Sequence, residues 1–296
     1  MQFNFADSKL FIIFASVKQK TLKIMTHFRA VVVSDDYAEA LRPYDENNKR
    51  AFKPKDCTDD YADTTRDEIK SYGYKIAKSE EDEKAYLHHK QDYALFDGDK
   101  LVKAVYFCNP NAKYDYYGDV TYYNGDGSDG LVFKKEYEHI RDTNEIKLKY
   151  IDFPATLEKE KERRRNAYRR YVEVLGHEPN FKTWDMFKKE YGEDFSEKEE
   201  NRELYWNQPD VDAYTENISA WGNPDAYMCT EEEFVNKSIY PFAIFVTDKE
   251  WIAKHEVGWF AVTYDEIPAE EYNRRVDKAL AKIDPETSVY IMDCHT

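Results

Sequence analysis

"FRAVVVSDD", residues 28–36, decides the fold. Its apolar run is continuous, β-branched and closed by acids, with no 3.6-residue period to suggest a helix. Branched side chains favour extended backbone, so the stretch predicts a buried strand. Comparable runs recur far along the chain: "KLVKAVYFCNP" (100–110), ended by Pro110, "YPFAIFVTD" (240–248), "VGWFAVTYD" (257–265) and "TSVYIMDCH" (287–295). "GLVFKKEY" (130–137) and "NEIKLKYIDF" (144–153) read as shorter strands, with the turn "NGDGSDG" (124–130) before them. "KLFIIFASVK" (9–18) also reads as a strand, being too short to span a bilayer and lacking the basic start and cleavage site of a signal peptide.

Helical patterns fill the space between these runs. From Pro154 to Gly176 the chain predicts one long helix, with proline in its first turn and glycine after its last. Its first half, "LEKEKERRR", is nearly all charge; Glu160 suits Arg164 at four residues, and Glu162 suits Arg165 at three. Tyr168, Tyr171, Val172 and Leu175 form the apolar stripe of the second half. A second helix, capped by Asn180 and ended by Gly192, carries Trp184, Phe187 and Tyr191, and another runs over roughly 269–282. Residues 35–100 are polar, with weak helical patterning near 65–90. Strands at both ends and helices between them predict an α+β fold. A mixed or antiparallel sheet body (25–153 and 237–296) carries a mainly helical inserted arm (154–236). Met25 makes residues 1–24 an N-terminal extension.

The 296 residues carry 16% aromatics, including 25 tyrosines, and a formal net charge of −16. That aromatic content belongs to a folded chain, and the acidity argues against direct binding of nucleic acid or anionic membrane. It suits a basic protein surface, and equally plain solubility. Cys57, Cys108, Cys229 and Cys294 stand far apart, which suggests free thiols.

Chemistry is hard to find. No phosphate loop, GxSxG or HExxH occurs. In "DCHT", strand alternation turns Cys294 away from Asp293 and His295, which argues against a nucleophile–base pair. His88–His89 and the acids of "NGDGSDG" lack the spacing of a metal site, so neither metal nor cofactor is expected. Arg163, Arg164, Arg165, Arg169 and Arg170 could bind phosphate, but interleaved glutamates blunt their field. Trp184, Phe187, Tyr205, Trp206 and Trp221 divide between the arm's own core and anchors for a partner. In "NPNAKYDYYG", Asn109, Pro110 and Asn111 read as turn chemistry with Tyr114, Asp115 and Tyr116 packed around it, a structural corner rather than a ligand site.

"THFRAVVVSDD" followed by "LRPYDEN" resembles the opening of a family of phage proteins, and "NPNAKYDYYG" resembles that family's central motif, which there leads into Trp-Asp-Trp-Tyr. "YWNQPDV", "AWGNPDAY", "YPFAIFVTDKEW", "VGWFAV" and "DPETSVYIMDCH" match in the same order, so the resemblance runs from 25 to 296. The chain departs from it where Tyr114 and Tyr116 replace tryptophans and where "GDVTYYNG" replaces a Gly-Gly-Arg-Trp continuation. In length, mass and phage character the chain is also similar to phage inhibitors of the bacterial Gabija nuclease–helicase defence complex. That resemblance implies a non-enzymatic, self-associating protein of the host bacterial cytoplasm that surrounds the complex and blocks DNA binding or cleavage. Two other readings stay open: an enzyme degrading a nucleotide defence signal, using a residue such as Asp115 or His295, and a phage structural or assembly protein.

Overall fold

The computed structural model describes residues 27–117, 130–140, 146–192, 195, 198–220, 222–257, 263–264 and 266–295. The run at 9–18, Trp221 and all of "NGDGSDG" but Gly130 lie outside the described residues. In chain order the strands are β1 (His27–Val33), β2 (Lys53–Asp56), β3 (Lys75–Ala77), β4 (Tyr93–Asp97), β5 (Lys100–Cys108), β6 (Tyr116–Tyr117), β7 (Ile244–Thr247), β8 (Trp251–Ala253), β9 (Glu256–Val257), β10 (Thr263–Tyr264) and β11 (Val289–His295). The helices are α1 (Tyr37–Leu41), α2 (Arg66–Ser71), α3 (Glu80–His89), α4 (Phe153–Leu175), α5 (Trp184–Tyr191), α6 (Glu199–Trp206), α7 (Pro209–Asn217), α8 (Glu231–Asn236) and α9 (Ala269–Leu280).

The fold is α+β. β1 is the middle strand of a mixed sheet ordered β6-β11-β1-β7-β8, antiparallel to β11 and parallel to β7. N- and C-terminal segments thus build one sheet. Alternation along β1 sends Val31 and Val33 to one face, where they meet Phe245, Ile291 and the Tyr272, Val276 and Ala279 stripe of α9. The valines, Ile291 and Phe245 among them each contribute about 1.5–3 kcal/mol by burial. Ala30, Val32, Met292 and Cys294 line the opposite face.

Residues 53–108 form a second sheet, ordered β2-β5-β4-β3, which the polar character of this stretch hides in the sequence. β2 reads "KPKD" and is exposed throughout, since it pairs with β5 along one edge only. Lysine and proline on an edge strand discourage pairing with other chains. Ile69 of α2 packs on one face of this sheet and Tyr86 of α3 on the other. Two further expectations are corrected. The stretches 130–137 and 146–153, the described part of the second run, supply isolated bridges, Phe133 to Ile151 and Lys147 to Ser288, and short 3-10 turns in place of strands. Their apolar side chains Leu131, Phe133, Ile146 and Leu148 still fill the main core.

The long helix α4 ends as its sequence predicts, with Gly176 closing it at φ 73°, and its start is capped by Asp152, whose side chain accepts from Ala155 N at 2.9 Å. Its charged half is not solvated all round. Thr156 and Glu160 are buried there, and Thr156 Oγ1 accepts from Val132 N at 3.0 Å. Glu160 pairs with Arg163 rather than Arg164. Arg164 turns instead to α8, donating from Nε to Phe234 O at 2.9 Å with its guanidinium 3.9 Å from the Phe234 ring. The next helix starts at Trp184, not after Asn180. Thr183 caps it, while Asn180 N donates to Asp210 Oδ2 and Lys182 N to Gln208 Oε1, which ties 180–182 to the 208–210 segment outside the helix.

Candidate functional site

The site is built from the corner that follows β5. Asn109 is buried; its Nδ2 donates to Pro43 O and Asp45 O, both at 2.8 Å, and its Oδ1 accepts from Asn111 N at 3.0 Å. One amide therefore shapes its own turn and clamps the loop before β2. The chain then runs beside that loop: Lys113 N donates to Tyr44 O at 2.7 Å and Glu46 N to Tyr114 O at 2.8 Å. Asp115 N donates to His295 O at 3.0 Å, and Asn47 Nδ2 to Asp115 O at 2.8 Å. The stretch is thereby stitched to the end of β11. Pro110 and the Asn111 side chain are exposed, so the amide that matters is Asn109. Tyr116 is exposed and meets the His295 ring edge-on, while Tyr114 is buried.

Tyr114 is the centre of a continuous run of seven rings over one face of the central sheet. Phe28 meets Trp251 at 6.3 Å between centroids, Trp251 meets Tyr44 at 5.0 Å, and Trp251 lies parallel to Tyr114 at 6.5 Å. The run continues from Tyr114 to Tyr117 at 5.9 Å, to Tyr37 at 6.3 Å and to Tyr290 at 5.0 Å. Tyr114 is buried at the centre, and the other six rings are half-buried, each showing part of its surface to solvent. Burial raises the hydroxyl pKa of Tyr44, Tyr114 and Tyr117. Carboxylates raise it further: Glu250 at Tyr44, Asp45 at Tyr114, and Asp45 and Asp36 at Tyr117. The Trp251 indole N–H is buried without a hydrogen-bond partner.

Six segments supply these rings, which is why the sequence does not display them as a motif. Strand alternation in β1 and β11 was the available signal for Phe28 and Tyr290; Tyr37, Tyr44 and Trp251 reach the face from a helix, a 3-10 turn and an edge strand.

The aromatic anchors expected in the helical segment separate into two groups. Phe187 and Tyr205 are core, packed with Phe181, Phe195 and Val211, so they are corrected as contact residues. Tyr205 also donates its hydroxyl to Asp225 at 2.7 Å. Trp184 is half-buried against the same cluster, and Trp206 is exposed. Among the described residues nine large apolar side chains are exposed, and four of them, Met186, Tyr191, Leu204 and Trp206, belong to α5 and α6.

The five arginines of α4 are all engaged within the chain. Arg163 and Arg165 pair with Glu160 and Glu162, Arg169 holds Glu231 with two nitrogens, and Arg170 reaches Asn217 O. Arg163 thus stays within α4, while Arg164, Arg165, Arg169 and Arg170 reach Phe234, Glu231 and Asn217 on neighbouring elements. In the tail, Cys294 is buried on the face opposite Asp293 and His295, and burial pushes its thiol up to about 12, far from a thiolate at neutral pH. All four cysteines are free. Among the described residues no group of three His, Cys, Asp or Glu side chains could hold a metal ion, and no helix is long and apolar enough to cross a membrane. Comparison with protein-family models, curated proteins and solved structures finds no match.

Proposed function

We propose that the chain is a phage-encoded inhibitor of a bacterial defence complex of the Gabija nuclease–helicase type, acting stoichiometrically in the host cytoplasm. The observation that carries this reading is the outward presentation of Met186, Tyr191, Leu204 and Trp206 on a strongly acidic segment. Residues 177–236 hold sixteen acids against five bases, which accounts for most of the net charge of −16. An acidic segment of this kind competes with DNA for a basic, DNA-receiving surface and speeds encounter with it. Exposed aromatic and aliphatic side chains then act as anchors once water is excluded. Self-association of the inhibitor adds avidity around a large target. The resemblance to phage proteins along 25–296 supports the same reading.

Size-exclusion chromatography with light scattering tests it, on the protein alone and mixed with purified Gabija complex. A larger co-eluting particle of fixed stoichiometry, with DNA cleavage suppressed only at stoichiometric amounts, is expected. Separate elution of two intact species sinks Gabija as the direct target. Suppression at far lower amounts points to catalysis on a nucleotide signal instead.

A further inference from the structure

We propose that the ring run across the central sheet is a second binding site, which takes arginine side chains from a basic protein surface. Three observations meet there. First, six of the seven rings are partly exposed, yet they lack cations. Elsewhere the chain's own cations sit over rings: Lys55 over Tyr106, Arg66 over Phe96, Lys103 over Tyr93, and Arg164 over Phe234 among others. Among the described residues no lysine or arginine lies over a ring of this run. Second, the charges beside its tyrosines are the carboxylates of Asp36, Asp45 and Glu250. Lys113, the base on the adjoining corner, is already paired with Glu256 at 2.8 Å. Third, the run is long, with consecutive centroids 5.0–6.5 Å apart across seven rings.

Aromatic faces attract cations through their quadrupole, and nearby carboxylates add Coulomb attraction. Guanidinium suits the site better than ammonium, because it is planar, stacks on rings and is weakly hydrated. A single small cation would use one or two rings; a row of this length with acids at several points fits a surface bearing several arginines. Charge complementarity therefore favours a basic protein over a free organic cation. The inference does not depend on which complex the protein inhibits.

The test uses the full chain and a fluorescein-labelled octa-arginine peptide, followed by anisotropy at fixed ionic strength. Tyr44→Ala is expected to weaken binding about fivefold, in line with loss of a cation–ring contact. Tyr44→Phe keeps the ring and is expected to stay within about twofold of the parent, as is Tyr72→Ala, an exposed ring just after α2. All three variants keep the net charge. Equal weakening by Tyr44→Ala and Tyr72→Ala, or no weakening by either, would assign the peptide to diffuse acidity and overturn the proposal. Loss of binding in Tyr44→Phe would overturn it too, by placing the interaction on the hydroxyl. Circular dichroism melts of each variant separate lost contact from lost fold, and Tyr37→Ala repeats the test at the other end of the run should Tyr44→Ala unfold.

Discussion

The chain holds two dense aromatic regions, and it finishes them differently. In the helical segment the polar tips are satisfied from within: Tyr168 donates to Cys229 O, Tyr171 to Asp210 O and Tyr205 to Asp225, while Arg164 covers Phe234. On the central sheet the rings contact one another as closely, yet among the described residues no cation covers them, and the charges beside the tyrosines are acids. Ring density is therefore a poor guide to burial or binding. The partners given to hydroxyls and ring faces separate a closed core from an open surface.

High pH should strain the closed region most. Burial raises the hydroxyl pKa of Tyr171, Tyr205 and Tyr214, the last to about 12, with Asp225 adding to the effect at Tyr205 and Asp210 at Tyr171. A raised folded pKa gives stability that is intact below the unfolded tyrosine value, near 10, and is lost as pH climbs beyond it. The melting temperature should fall by roughly 10 °C or more between pH 10 and 12. Tyrosinate absorbance at 295 nm should rise in step with unfolding. A rise that is complete while the fold is intact would break the distinction between closed and open rings.

Substitution sharpens it further. Tyr171→Ala removes a fully buried ring in contact with Tyr214 and Tyr227, and should cost about 3–5 kcal/mol in urea unfolding. Asn109→Ala leaves the carbonyls of Pro43 and Asp45 without their donor and should cost about 2–3 kcal/mol, whereas Asn111→Ala should cost less than about 0.5 kcal/mol. Equal costs would return the corner to the pair of asparagines as a unit. The smallest stability effect belongs to Trp206→Asp on the exposed side of α6, within about 0.5 kcal/mol. That variant should still weaken capture of the defence complex about tenfold in a pull-down titration, as loss of an anchor does.

How far the sequence could be read follows from where its signals are local. β1, β5, β7 and β11 announce themselves because each is an apolar run, and α4 because its proline, stripe and glycine all lie on one segment. β2 carries no apolar residue and draws its place from β5 alone, so "KPKD" gives no hint of a second sheet. The sequence showed the local glutamates that blunt the arginine run of α4, but not its partners Glu231, Phe234 and Asn217, which lie at least 47 residues away. The ring run fails to register for the same reason. Asn109 was legible as a turn residue, but the sequence could not divide the work between Asn109 and Asn111.

The placement of β1 also sets a timetable for synthesis. Its hydrogen-bonded neighbours, β7 and β11, begin at residues 244 and 289. A ribosome that has already delivered β1, the second sheet and all of α4 to α8 still holds the segments that close the central sheet. Residues 53–108 pair only among themselves in their sheet and are free to fold early. β1, with its unbroken valines, has to wait as an unpaired apolar strand, and such strands are where nascent chains meet chaperones or one another. Slow translation between α8 and β11 should therefore lower the soluble yield more than an equal delay placed before β1.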